Sequence, residues 1–105
     1  MVATISAREA ADIISNGDVD VVDVRDENEF TAGHIPNARL VPLDKLRESP
    51  ENALSRDSII FVCAKGARSL TAAKIAARLG FSKLYNLDGG TASWVKAGLP
   101  LVRAA

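Results

Sequence analysis

Ser58-Ile59-Ile60-Phe61-Val62-Cys63-Ala64-Lys65-Gly66-Ala67-Arg68-Ser69 is the stretch that decides the architecture. Its first five residues form a compact apolar run and read as a central strand that stops at Cys63. From Ser69 a helical pattern continues to Arg78, closed by Gly80. Thr71, Lys74 and Arg78 make one narrow polar stripe on that helix, which predicts that most of it is buried.

Strand-like and helix-like runs alternate on either side of this unit, the pattern of an α/β domain with a mainly parallel sheet. Upstream, Ser6 and Glu9 have capping-box spacing, Ala10, Ile13 and Ile14 supply an apolar stripe, and Asn16-Gly17 ends the helix. Val19 to Val24 reads as a strand whose continuous apolar character suits cover on both faces. A helical turn over Asp26 to Phe30, a loop over 33–37 and a short strand over Arg39 to Val41 follow. In Leu43 to Leu54, Pro50 is expected to divide a short helix from a loop. Downstream, Leu84 to Leu87 reads as the last strand, Gly89-Gly90 as a sharp turn, and Thr91 to Ala97 as a final helix.

The 105 residues fit one domain, 1–105. Thirteen basic residues balance thirteen acidic ones, so no global field recruits nucleic acid or an anionic membrane, and any preference for anions must be local. No apolar run approaches the roughly 18 residues of a membrane span, and the opening residues lack the pattern of a signal peptide. One cysteine forms no internal disulfide, and with one histidine it completes no zinc site. The expectation is a cytoplasmic protein without metal or cofactor.

The chemistry concentrates in the loop Cys63-Ala64-Lys65-Gly66-Ala67-Arg68-Ser69. A residue directly after a central strand sits on the sheet edge where α/β folds bind ligands. The next helix turns free amides and its positive dipole end towards it, which favours a thiolate. Gly66 lets the loop curl, while Lys65 and Arg68 add local positive charge. A lone cysteine after an apolar strand also fits a small buried hydrophobe. The glycine, the two cations and the strand-to-helix position favour the nucleophile.

With Asp23-Val24-Arg25, Glu29-Phe30, the run from Gly33 to Ala38, the Cys63 to Ser69 loop, Leu87-Asp88-Gly89-Gly90 and Trp94, the chain resembles the rhodanese superfamily from about Ile5 to Pro100. The resemblance implies a central parallel sheet of about five strands flanked by helices on both faces, with Cys63 as the catalytic residue. It implies that Cys63 takes a sulfane sulfur from thiosulfate or a persulfide donor, expels sulfite, and passes the sulfur to cyanide or a thiol. The amides from Ala64 to Ser69 (Ala64, Lys65, Gly66, Ala67, Arg68 and Ser69) would cradle the sulfur, and Lys65 and Arg68 would orient the donor. Because an ionised sulfur attacks and sulfite leaves readily, no general base is needed.

Two other functions compete. One is a sulfur-carrier or regulatory module served by a protein donor or acceptor. The other is a cysteine phosphatase or arsenate reductase. Phosphatase loops place five residues between Cys and Arg, whereas four stand between Cys63 and Arg68 here.

Asp23 and Arg25 are expected on the same edge, either tuning the pocket or closing an ion pair that fixes a loop, with Glu29 in the same network. His34 is expected in a structural turn, and Asn37 at a position that needs left-handed backbone. Trp94 is expected in the core. Arg39, Lys45, Arg47 and Arg56 are expected as solvated surface charges.

Overall fold

The apolar run around Phe61 is the middle of the sheet. Strand β4 (Ile59–Val62) is buried along its whole length in the computed structural model, which describes residues 2–103. The other elements, in chain order, are β1 (Val2–Ile5), α1 (Ala7–Ser15), β2 (Asp20–Asp23), α2 (Glu27–Ala32), β3 (Arg39–Leu40), α3 (Leu43–Glu48) and α4 (Pro50–Ala53). After β4 come α5 (Ala67–Arg78), β5 (Leu84–Leu87) and α6 (Gly90–Lys96).

The five strands lie in the order β1-β5-β4-β2-β3, and every pairing is parallel. Val22 stands level with Phe61, and Phe61 with Asn86, so β2, β4 and β5 end together on one edge. Alternation along β4 divides the interior in two. Ile59 and Phe61 face the cluster built by Leu46 of α3 and by Ala72, Ala73 and Ala76 of α5. Ile60 and Val62 face Ala7 and Ala10 of α1 and Trp94 of α6. Helices thus cover both faces, as a sheet with continuous apolar strands requires.

Local signals were largely sufficient. The Ser6 hydroxyl accepts from the Glu9 amide (3.1 Å), and the Glu9 carboxylate accepts from the Ser6 amide (2.9 Å), closing the expected capping box. Asp26 and Glu29 close a second one at α2. Asn37 sits at φ 72°, in the left-handed region expected of it. Trp94 is buried and donates from Nε1 to the Pro100 carbonyl (2.7 Å).

An edge strand that the sequence did not announce, β1, precedes the first helix. Three expectations are corrected. Pro50 opens the helical turn α4 at its first position, where a missing N–H costs nothing, instead of introducing a loop. Helix α5 begins at Ala67, two residues before Ser69, and buries one alanine-rich face; Leu70 and Ile75 are half-buried and Leu79 is exposed. Arg39 is more than a solvated charge, for it holds Asp20 (2.8 and 3.0 Å) and the Ala53 carbonyl (2.8 Å), tying α4 to the sheet. Adjacent parallel strands bring Asp20 and Arg39 within reach of each other. No helix among the described residues is long and apolar enough to cross a membrane.

Candidate active site

Cys63 follows β4 on the edge where the strands end, and three residues later Gly66 reverses the chain into α5. Gly66 adopts φ 106°, a left-handed conformation that disfavours any side chain. The turn brings its own amide to 3.1 Å from Cys63 Sγ. Ser69, in the first turn of α5, places Oγ 3.3 Å from the same sulfur. Burial pushes the thiol pKa up. The Ser69 hydroxyl and the amides of Ser69, Gly66 and Lys65 outweigh it, so the thiol lies below its ordinary value. Cys63 is therefore buried, 1% exposed, yet its sulfur is ringed by donors.

The loop carbonyls are held from outside the ring. The Thr91 amide donates to the Cys63 carbonyl (2.8 Å), and the Ala92 amide donates to the Ala64 carbonyl (3.2 Å). Asn86 donates from Nδ2 to the Gly66 carbonyl (3.3 Å). In a trans peptide the N–H points opposite to the C=O. Pulling the Ala64 carbonyl towards α6 thus turns the Lys65 amide towards the sulfur. This close approach needs Gly90, since a Cβ there would stand 2.2 Å from the Cys63 carbonyl oxygen and 2.5 Å from Ala64 backbone atoms.

The cations behave differently from one another. Arg68 forms a two-point pair with Glu29 (2.8 and 3.0 Å), so much of its charge is answered within the protein. That hydrogen-bonded pair lowers the Glu29 pKa to about 2. Lys65 is exposed and forms no salt bridge among the described residues. Ala64 is half-buried and Ala67 exposed; neither amide is among the donors that reach the sulfur.

Asp23 and Arg25 form a buried ion pair. Arg25 donates from Nε (3.0 Å) and Nη2 (2.8 Å) to Asp23, and from Nη2 to the Gly33 carbonyl (2.7 Å). The pair anchors the loop after α2, and neither side chain bonds to the Cys63 loop among the described residues. Glu29 belongs instead with Arg68. His34 stacks on Phe30, with ring centroids 3.8 Å apart, and donates from Nδ1 to the Phe30 carbonyl (2.9 Å), which places it in the turn.

Sequence reading passed over Asn86. It is buried in β5, and its Oδ1 accepts from the Ser69 hydroxyl (2.5 Å). An amide inside the otherwise apolar Leu84-Tyr85-Asn86-Leu87 was the available signal, because a buried polar group needs a partner.

A doubly covered parallel sheet with a thiol on its carboxyl edge, inside a curl of main-chain donors, defines a class of cysteine-dependent α/β proteins. The rhodanese-like domain model matches residues 6–97, and the chain belongs to that family. It is 39% identical over 90 residues to the thiosulfate sulfurtransferase GlpE of Ectopseudomonas mendocina, covering 86% of this chain and 82% of the relative. It is 32% identical over 94 residues to GlpE of Coxiella burnetii, covering 90% and 88%. The crystal structure of a rhodanese-related protein from Thermoplasma volcanium superposes with a TM-score of 0.85 at 32% identity, over 97% of this chain and 99% of that one.

Proposed function

We propose that the protein is a sulfurtransferase that carries a sulfane sulfur as a persulfide on Cys63, with thiosulfate or a persulfide as donor and cyanide or a thiol as acceptor. The observation that carries this reading is the sulfur's surroundings: the Gly66 amide at 3.1 Å and the Ser69 hydroxyl at 3.3 Å, in a loop with four residues between Cys63 and Arg68. The names of the GlpE relatives support the same chemistry.

In the first step the Cys63 thiolate attacks the outer sulfur of thiosulfate. A sulfur–sulfur bond forms to Cys63, the sulfur–sulfur bond of thiosulfate breaks, and sulfite leaves with the electron pair. In the second step cyanide attacks the outer sulfur of the persulfide, thiocyanate leaves, and the Cys63 thiolate returns. No proton needs to move in either step, consistent with His34 being committed to its turn. The amides of Lys65, Gly66 and Ser69 stabilise the negative sulfur, and Lys65 is the cation free to draw in the donor. With Cys63 1% exposed, a slender reactant arriving end-on is the kind that meets the sulfur.

Phosphoryl transfer fits less well. A phosphatase needs its arginine to clamp phosphoryl oxygens, and here the Arg68 guanidinium is held at two points by Glu29. A protein donor or acceptor in place of the small molecules uses the same sulfur chemistry.

Mass spectrometry after thiosulfate treatment tests the proposal. A gain of about 32 Da, one sulfur, is expected on Cys63 and is reversed by cyanide or dithiothreitol. Cys63→Ser should lose both the adduct and the turnover. Hydrolysis of p-nitrophenyl phosphate by the wild type, without any sulfur adduct, would overturn the reading in favour of phosphatase chemistry.

A further inference from the structure

The Ser69 hydroxyl carries one proton and lies between two acceptors. One is Cys63 Sγ at 3.3 Å, the other Asn86 Oδ1 at 2.5 Å. The orientation of the amide is set by its other end, since Nδ2 donates to the Gly66 carbonyl and Oδ1 must then face Ser69. All three residues are inside the fold or at its margin, where an unanswered polar atom is costly.

With a neutral thiol the chain of bonds is complete. The S–H donates to Ser69 Oγ, the hydroxyl donates to Asn86 Oδ1, and Asn86 Nδ2 donates to Gly66. Ionisation breaks that order. Either the hydroxyl stays on Asn86 and turns its lone pairs to the thiolate, or it swings to the sulfur and leaves Oδ1 buried without a donor. Both outcomes cost something that an apolar residue at position 86 would not impose.

We infer that Asn86 is a positioning residue of the sulfur site: through the Ser69 hydroxyl it competes with the Cys63 sulfur for a proton and holds the cysteine closer to its neutral form than the loop alone would. The inference rests on Cys63 being the nucleophile. It matters for catalysis because a thiolate stabilised too far loses nucleophilicity. Once a persulfide forms, the charge moves to the outer sulfur, and the Ser69 proton is free to return to Asn86.

Few charges bear on this balance. Arg68 of α5 feels the cysteine's charge but is paired with Glu29 of α2. Lys65 is exposed on the loop, and Asp23 at the end of β2 and Arg25 just beyond it are closed on each other. Helix α3 faces this side of the sheet with Leu46, its charged residues being exposed. From β5 and α6 the groups that bond to the loop, the Asn86 side chain and the Thr91 and Ala92 amides, are neutral, and the charged Asp88 and Lys96 are exposed.

The test is the pH dependence of iodoacetamide alkylation of Cys63, measured without any sulfur donor. Asn86→Leu removes the acceptor and should lower the thiol pKa by roughly half a unit to one unit, the equivalent of one hydrogen bond. Ser69→Ala should raise it, and the double variant should match Ser69→Ala, because without the hydroxyl Asn86 has no proton to compete for. If Asn86 merely braces the loop, Asn86→Leu loosens the ring of donors and raises the pKa; that result, or no change, overturns the inference. Should circular dichroism show Asn86→Leu unfolded, Asn86→Asp takes its place. It should raise the pKa, and by less in a Ser69→Ala background; an equal rise with and without Ser69 would be simple charge repulsion and would likewise overturn it. Failure of the sulfurtransferase reading would instead appear as a missing sulfur adduct on Cys63, with these shifts intact.

Discussion

Replacing Gly90 by alanine should damage the protein through a single added carbon. Gly90 has φ 58°, and its Cβ would stand 2.2 Å from the Cys63 carbonyl oxygen. Reaching even 3.0 Å requires the start of α6 to retreat by about 0.8 Å, and backbone atoms on both sides leave little room to yield. A left-handed non-glycine residue costs about 1–3 kcal/mol by itself. The retreat also stretches the Thr91-to-Cys63 and Ala92-to-Ala64 hydrogen bonds, each contributing about 0.5–1.5 kcal/mol. A loss of about 2–6 kcal/mol follows, on the order of 10–25 °C in Tm for a domain of this size. Gly98→Ala is the control, since φ is 82° there but no atom lies within 4 Å of the new carbon; only the backbone term applies. Thermal unfolding and iodoacetamide alkylation read the two consequences together. Gly90→Ala should melt well below Gly98→Ala, and its Cys63 should titrate nearer an ordinary thiol, because carbonyls released from α6 no longer aim the Lys65 amide. Equal melting temperatures with an unchanged alkylation profile would refute the role given to α6.

Other perturbations follow from the ion pairs and the loop. Asp23→Ala leaves the Arg25 guanidinium buried with only the Gly33 carbonyl, so denaturant unfolding should show a loss of about 3–5 kcal/mol. Glu29→Gln should cost far less, about 0.3–1 kcal/mol, because that pair is partly exposed. The Glu29 pKa is depressed from 4.5 to about 2, so its contribution is complete above pH 4.5 and disappears as pH falls towards 2. The difference in stability between wild type and Glu29→Gln should shrink over that window; a constant difference would dissociate it from the ion pair. Lys65→Ala should raise the KM for thiosulfate with little change in kcat, as steady-state kinetics would show.

The sheet, its two helical layers and the position of Cys63 were readable because each rests on local pattern: apolar runs for β2, β4 and β5, a capping box for α1, and a glycine between strand and helix. The edge strand β1 was not. Two of its four residues are exposed, so it lacks an apolar signature, and its extended form is secured by pairing with β5. The start of α5 was misplaced because its cap is Gly66, which offers no side-chain acceptor to announce a helix. The network around the sulfur joins residues distant in the chain. Ser69 meets Asn86, Arg68 meets Glu29, and the amides of α6 meet the loop carbonyls, contacts that only the completed sheet creates. Two cations looked equivalent in the sequence, and only the fold shows that Glu29 claims one of them.

The strand order also governs when this chain can finish folding. Among the described residues the sole neighbour of β1 in the sheet is β5, about 80 residues later, so during synthesis β1 emerges well before the strand it pairs with. β2 and β4 can associate much sooner, whereas the outer seam must wait until β5 has been made. Asn86 and the α6 amides arrive with that late segment. Some of the parts that shape the reactive loop are therefore made more than twenty residues after the cysteine itself, so a ribosome-bound chain holds its cysteine before it holds all the means to tune it.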